Sequence, residues 1–140
     1  FAGTPLAPAA LARPWGAWIV ASPMWGRPHR LDERRVEDLR AIVYEIANIT
    51  LGQVRTENPT SLEKPLPATL AEVADQVVYQ RLSIVDPDTA EPYEYVVADA
   101  THYRLCAVFA QERRRQFDIF WDHPAGRHCY DIDALNPWGR

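Results

Sequence analysis

Hydrophobic residues between positions 31 and 52 recur every three or four positions, which is the spacing of one face of an α-helix. The stripe consists of Val36, Leu39, Ile42, Val43, Ile46 and Ile49. Asp32 is suited to capping the first turn, with Leu31 and Val36 at the positions of a hydrophobic staple. Gly52 favours an end to the helix. The pattern therefore predicts a long helix from about Asp32 to about Gly52.

A second, shorter helix is predicted by the sequence LPATLAEVADQVVY at positions 66–79. Thr69 and Glu72 have the spacing of a capping box, in which each side chain satisfies a free backbone N–H of the first turn. Leu70, Val73 and Val77 follow at helical spacing. We expect this helix to bridge the long helix and the rest of the chain.

From position 82 onward the hydrophobic residues alternate with polar or smaller ones, which is typical of strands with one buried face. A turn at 98–101 separates the first two predicted strands, and a Pro-Gly turn at 123–126 separates the last two. The predicted strands are 93–97, 103–109, 117–121 and 128–132. One long helix, one short helix and three or four antiparallel strands make an α+β fold, with the sheet packed on the helices.

Residues 1–30 are rich in proline, alanine and tryptophan and show no sustained period. This composition predicts an extended arm (1–30) ahead of the α+β domain (31–140). Exposed tryptophans in such density favour contact with a protein or a membrane surface. The residues that we expect to bind a partner are Trp15, Trp18, Ile19, Trp25 and Trp138.

The net charge of −4 and the isoelectric point near 5.5 argue against a nucleic-acid-binding surface. The basic run 113–115 lies between Glu112 and Asp118, which favours a solvated loop or strand end. No run of 18 apolar residues is present, and the most apolar piece, 17–21, is too short to cross a bilayer. Because the sequence begins at Phe1, we expect a processed form or part of a longer product, with any signal or anchor upstream.

The two cysteines, Cys106 and Cys129, each lie in a predicted strand. An even number of cysteines favours a disulfide between the strands, which would place the chain in an oxidising compartment. A catalytic Cys-His pair is the alternative, because His128 adjoins Cys129 and His102 lies near Cys106. Neighbouring residues on a strand point to opposite faces, so this geometry suits His128 and Cys129 poorly.

The segment DPDTAEPYEY at 86–95 admits two interpretations. Its Asp-x-Asp pair could contribute oxygen ligands for calcium, or Asp86 and Pro87 could form a turn. Asp131 and Asp133 supply a second pair, so the weak calcium candidates are Asp86, Asp88, Asp131 and Asp133. Each pair is small for an ion that takes six to eight oxygens, and no other cofactor is expected.

Two further clusters have chemical interpretations. His123, His128 and Cys129 could bind zinc, but they lack the second pair of ligands that makes such spacing specific. Asp118 and Asp122 could act as an acid-base pair, although no nucleophile or oxyanion element accompanies them. The sequence also lacks phosphate-loop, Rossmann, Gly-x-Ser-x-Gly and His-Glu-x-x-His motifs. We therefore expect a chain without enzymatic activity and name no catalytic residue.

The order of elements, together with three short motifs, resembles the periplasmic domains of type IV pilin-like proteins, especially the major pseudopilins of type II secretion. The motifs are EDLRAI at 37–42, LPATL at 66–70 and DPDTAEPYEY at 86–95. The chain is also similar to uncharacterised bacterial membrane-anchored proteins through LDERRVEDL, YRLCAVF and HPAGRHC at 31–39, 103–109 and 123–129. A pilin begins with a hydrophobic helix that carries Glu at its fifth position, and residues 1–15 contain neither.

The resemblance implies a structural or accessory subunit of a membrane-associated assembly, located on the periplasmic or extracellular face. Its expected partners are protein subunits of a membrane complex, with a membrane surface also possible and no nucleic acid. A periplasmic domain that senses or binds a small ligand is one alternative. A pilin-like filament subunit is another.

Overall fold

The computed structural model describes residues 23–52 and 57–138, which form two helices and a three-stranded antiparallel sheet. Helix α1 spans Pro23–Leu51 and helix α2 spans Leu70–Gln76. The strands are β1 (Glu94–Val97), β2 (His102–Phe109) and β3 (Gly126–Asp133), in the spatial order β1-β2-β3. The predicted α+β fold is confirmed.

Helix α1 ends where the sequence predicts but begins earlier. Gly52 follows its last residue with φ +74°, a left-handed conformation that glycine adopts without strain. The helix starts at Pro23, so residues 23–30 are helical where the sequence predicted an extended arm. Proline is well tolerated in a first turn, as at Pro23, whereas Pro28 lies in the second turn and cannot donate a helical hydrogen bond there. Residues 1–22 lie outside the described residues.

The core lies between the predicted stripe of α1 and one face of the sheet. Five of the six stripe residues are buried: Val36, Leu39, Ile42, Val43 and Ile46. They belong to one cluster with residues of β2 and β3, namely Tyr103, Leu105, Ala107, Phe109, Tyr130 and Ile132. The hydrophobic stripe of the helix and the alternating hydrophobic residues of the strands thus form one buried layer.

Helix α2 begins with the predicted cap. Thr69 Oγ1 accepts a hydrogen bond from the Glu72 N–H at 3.2 Å. The Glu72 carboxylate accepts one from the Ala68 N–H at 2.9 Å, one residue before the cap. Leu70 and Val73 are buried, and they join α2 to the core.

The predicted third strand at 117–121 is wrong. This segment ends in a 3-10 helix, Ile119–Trp121, preceded by Asp118 in the left-handed conformation at φ +66°. A strand cannot continue through that conformation. Arg113 and His123 exchange two backbone hydrogen bonds of 2.8 and 3.2 Å, which close residues 114–122 into a loop beside the sheet.

Candidate functional site

A group of buried charged side chains joins α1 to the turn that precedes β1. Asp32 and Arg35 of α1 and Asp86 of the turn are each less than 10 % exposed. Arg35 donates to both Asp86 oxygens, from Nε at 2.6 Å and from Nη2 at 3.1 Å, and its Nη1 donates to Asp32 at 2.8 Å. We call Asp32, Arg35 and Asp86 the charge cluster. The bidentate pair spans 51 positions of sequence and so fixes the turn on the helix.

Asp86 also organises the turn itself. Its Oδ1 accepts hydrogen bonds from the N–H groups of Asp88 and Thr89 at 2.8 and 3.1 Å, which is the turn interpretation of this segment. Burial alone would raise the pKa of Asp86, but the hydrogen bonds from Arg35 and from these two N–H groups outweigh it and hold the pKa below its ordinary value. The hydrogen bond to Asp86 likewise raises the pKa of Arg35 despite its burial.

The sequence predicted that Asp32 caps α1, and this prediction is wrong. Asp32 lies inside the helix, and its two oxygens accept hydrogen bonds from the N–H groups of Ala110 and Gln111, both at 2.8 Å. These are the first two residues after β2. Asp32 therefore satisfies backbone donors at a strand end, so the charge cluster connects the helix, the turn and the sheet.

Asp38, six positions after Asp32 on α1, anchors the entry to β1 in a similar way. The Tyr93 hydroxyl donates to Asp38 Oδ2 at 2.7 Å, and Arg34 donates to Asp38 Oδ1 at 3.3 Å. Burial, reinforced by this hydrogen bond, raises the pKa of Tyr93 far above its ordinary value, so the phenol stays protonated. The contact secures the tyrosine of the DPDTAEPYEY segment on the long helix.

The predicted disulfide is present and crosses the outer face of the sheet. Cys106 of β2 and Cys129 of β3 lie directly opposite each other, with Cα atoms 4.0 Å apart. Glu94 and Arg127 form an ion pair beside it. Glu94, Cys106 and Cys129 are the one group of three potential metal ligands among the described residues, and the two sulfurs are bonded to each other.

The calcium candidates do not converge in the described part of the chain. Asp86 is held by Arg35, and Asp88 lies 3.4 Å from Arg27. On the outer face of the sheet, Arg104 donates to Asp131 at 2.8 Å and His102 lies 4.0 Å from Asp133. Each carboxylate thus faces a basic side chain of the protein itself. Calcium binding remains a prediction that this arrangement does not favour.

The zinc candidates are also dispersed. His123 is buried and stacks on Phe109 with ring centroids 3.5 Å apart, and burial lowers the pKa of its imidazole. His128 packs edge-on against Tyr130 on the core side of β3, whereas Cys129 is bonded on the opposite face. The same geometry leaves Cys129 without a free thiol for a catalytic pair with His128.

The Asp118–Asp122 pair is a structural clamp for the loop at 114–122. Arg113, which is buried, donates to Asp118 at 3.2 Å and to Asp122 at 2.8 Å, and Arg40 of α1 pairs with Asp118. Trp121 inserts into the core, where its backbone oxygen accepts from the Tyr130 hydroxyl at 2.9 Å. These contacts hold the middle and the C-terminal end of the loop.

The loop at 114–122 exposes three large apolar side chains to solvent. Phe117 is 82 % exposed, Ile119 68 % and Phe120 45 %. We call Phe117, Ile119 and Phe120 the apolar tip. Sequence reasoning missed it because the alternation of FDIFW was interpreted as a strand. The ion pairs that Asp118 forms with Arg113 and Arg40 could not be inferred from the local pattern.

A surface cleft of about 570 Å³ lies between the turn and the sheet. The β1–β2 register that pairs Glu94 with Cys106 would place Pro92 opposite Val108. Proline has no N–H to donate, and Pro92 instead forms a bridge with Val85. The strands therefore separate at this point, and the cleft opens between Pro92 and Val108, with Arg127 at its rim.

For most of the predicted partner-binding residues, the structure describes no side chain. Trp15, Trp18 and Ile19 lie outside the described residues, and the side chain of Trp25 is likewise not described. Trp138 is half exposed, with its ring centroid 6.3 Å from that of Tyr44. The tryptophan contacts thus remain a prediction.

Comparison with known proteins found no matching family model, no matching curated protein and no matching solved structure. The likeness to pilin-like domains therefore stays a resemblance of motifs and of element order. Across residues 23–52 and 57–138, none of the helices combines the length and the apolar character needed to span a membrane.

We expect Arg35→Met to lower the free energy of unfolding by about 3–5 kcal/mol, because it leaves two buried carboxylates without their cation. Arg114→Met, on the exposed pair with Glu112, is the matched control and should cost less than about 1 kcal/mol. Urea unfolding at pH 7, followed by circular dichroism, measures both. Equal losses for the two variants would contradict the role of the charge cluster.

The contribution of Asp86 should depend on pH in a defined direction. Its folded pKa lies below the unfolded value of about 3.9, so its stabilisation is present above that pH and is lost as the pH falls through the folded pKa. The stability gap between the wild type and Asp86→Asn should be constant from about pH 5 to 7 and narrow below about pH 4. Asp88→Asn, at an exposed position, should show little gap at any pH. A gap for Asp86→Asn that persists unchanged to about pH 2 would show that its ionisation is irrelevant.

Proposed function

We propose that this chain is a non-catalytic accessory subunit of a membrane-associated assembly on the extracytoplasmic face, and that it docks on a protein partner through the apolar tip. The observation that carries the proposal is a loop held by ion pairs and by the buried Trp121, in which Phe117, Ile119 and Phe120 are exposed. The resemblance to pilin-like domains supports the same class of function.

The apolar tip has the character of a docking element. Large aromatic and aliphatic side chains that cluster on a surface are typical of interaction sites, where they act as anchors in a partner's pocket. Ile119 and Phe120 lie in the 3-10 helix, and Phe117 directly precedes its cap residue Asp118. The three side chains are thus presented by one short segment of the loop.

The loop is held in place before any partner arrives. Arg113 and Arg40 hold Asp118 in the middle of the loop, and Arg113 also holds Asp122 at its end. Phe120 packs against the buried Trp121 with ring centroids 5.1 Å apart. Such preorganisation lowers the entropy cost of binding. Rigid anchors on a fixed scaffold favour a specific partner over general adhesion.

The chemistry of the tip favours a protein over a lipid surface. Asp118 lies between Phe117 and Ile119 in sequence, and its side chain is 42 % exposed. Transfer of this partly exposed, ion-paired carboxylate into hydrocarbon is costly, whereas a protein pocket can keep it hydrogen-bonded.

The disulfide and the use of the charged groups support the remaining parts of the proposal. A cross-strand disulfide is typical of oxidising, extracytoplasmic compartments. The acidic side chains considered for acid-base chemistry, Asp118 and Asp122, are bound to Arg113. Their role in holding the loop accounts for their spacing without catalysis.

A small-ligand-binding domain is the second candidate, and the cleft between Pro92 and Val108 favours it. Its volume of about 570 Å³ is in the range of small-molecule sites. A ligand bound there would raise the melting temperature of the protein, and Val108→Glu would remove that shift. The docking proposal requires no such shift.

The docking proposal predicts a site-specific crosslink. A photoreactive phenylalanine analogue in place of Phe117 should form one discrete adduct with a membrane subunit when intact cells are irradiated. The analogue at Tyr79, which is 99 % exposed but outside the tip, is the matched control and should not form that adduct. Adduct masses by gel and mass spectrometry distinguish the two positions.

The same adduct from both positions, or none from Phe117, would contradict docking through the tip. Phe117→Ser/Ile119→Ser gives an independent measurement, since both side chains are exposed and the fold should be retained. The double variant should lose the partner in gentle, non-reducing membrane extracts, whereas Val78→Ser/Tyr79→Ser should keep it.

The arm predicts a second, separable contact. Removal of residues 1–22 leaves α1 whole, so the α+β domain should still fold, as measured by circular dichroism. Membrane association should weaken, because Trp15, Trp18 and Ile19 are removed and the contact through the apolar tip is left. Undiminished retention of the shortened chain in the membrane fraction would contradict the arm's role. Trp15→Ser/Trp18→Ser in the full chain should reproduce part of the loss.

A further inference from the structure

Strand β3 is the edge of the sheet, and its outer side has no partner strand among residues 23–52 and 57–138. The sheet order is β1-β2-β3, and the two isolated bridges, Val85 with Pro92 and Arg113 with His123, lie elsewhere. At eight residues, β3 is as long as β2 and twice as long as β1. It therefore offers a long backbone edge for pairing.

The residues that direct their backbone outward follow from the register. Ala134 N–H donates to the Thr101 carbonyl at 2.7 Å, so the pairs that exchange hydrogen bonds with β2 continue at every second residue. On β3 these residues are His128, Tyr130 and Ile132. The alternate residues, Arg127, Cys129 and Asp131, direct their N–H and C=O groups away from β2.

The same outward residues carry charges of opposite sign at opposite ends of the strand. Arg127 lies near the start of β3, while Asp131 and Asp133 lie near its end. Their side chains project on the outer face of the sheet, where Arg127 pairs with Glu94 and Asp131 pairs with Arg104 at 2.8 Å. The side chains of Arg127 and Asp131 are 60 % and 77 % exposed, so both can reach a further strand.

A charge gradient of this kind is complementary to itself in one orientation. When two copies of β3 lie antiparallel about a two-fold axis at Cys129, Arg127 of each copy lies opposite Asp131 of the other. An axis at Tyr130 places Arg127 opposite Asp133 instead. Both registers bring outward-facing backbone groups together, as hydrogen-bonded antiparallel pairs require. A parallel arrangement would place like charges side by side.

We propose that the outer edge of β3 pairs with β3 of a second copy of this chain, joining two three-stranded sheets into one six-stranded sheet. Backbone hydrogen bonds supply the attraction, and the reciprocal Arg127–Asp pairs select the antiparallel orientation. Charged edge strands commonly resist pairing. A run of one sign would resist every copy, whereas this mixed run disfavours the parallel orientation alone. The proposal is independent of docking through the apolar tip.

Sedimentation velocity of the full chain, with its disulfide intact, tests the pairing. Concentrations from about 1 to about 500 µM cover the weak affinities expected of a small interface. The wild type should change from monomer to dimer across this range, and Arg127→Asp should remain a monomer because it places carboxylates opposite each other. A wild type that stays monomeric at every concentration would overturn the proposal.

A second charge reversal provides the decisive measurement. Arg127→Asp combined with Asp131→Arg, or with Asp133→Arg, restores opposite charges across the axis and should restore the dimer. The rescuing position identifies the register. Arg114→Asp, an exposed reversal outside β3, is the matched control and should dimerise like the wild type. Dimers in Arg127→Asp, or rescue by neither second reversal, would overturn the proposal.

Phe117→Ser/Ile119→Ser separates the two proposals. This variant should dimerise like the wild type even though it loses its membrane partner. The Arg127→Asp chain should still form the crosslink from position 117. Loss of the dimer in the tip variant would place the self-contact at the tip and overturn pairing through β3.

Discussion

The ion pair between Arg35 and Asp86 is the contact on which the arrangement of the other elements depends. It joins the middle of a long helix to a turn 51 positions away, and Asp32 extends the same group to the end of β2. A hydrophobic stripe alone leaves a helix free to slide or rotate over a sheet, because burial has no direction. Hydrogen bonds at 2.6–3.1 Å have direction, so this cluster selects one setting of the helix.

From that setting the surface features follow in order. The turn held by Arg35 places Pro92 beside β2. Because Pro92 has no N–H to donate to β2, the strands separate there and the cleft opens. Farther along, Arg40 of the same helix reaches Asp118, so the helix also positions the loop between β2 and β3. Arg35 of α1 thus positions the turn before β1, and Arg40 positions the loop between β2 and β3. The apolar tip is mounted on the core through Trp121 and on the helix through Arg40.

Local signals in the sequence predicted what local interactions determine. The stripe of α1, the Thr69 cap and the alternation of β2 each depend on neighbours within a few positions, and all three are present. The cap assigned to Asp32 was wrong because its carboxylate serves N–H groups 78 and 79 positions away. The strand assigned to 117–121 was wrong because Asp118 takes a left-handed conformation beside two arginines. Arg35 carried no local signal, since its main partner is distant in sequence.

The disulfide has a topological consequence for the loop that carries the apolar tip. Cys106 and Cys129 are 23 positions apart, and the whole of that loop lies between them. The bond makes the segment a covalent ring, so a protease that cuts once inside it separates no fragment from the protein. Both new ends stay attached to the sheet by the cysteines that flank them. A molecule cut once in this loop therefore stays in one covalently joined piece until the disulfide is reduced.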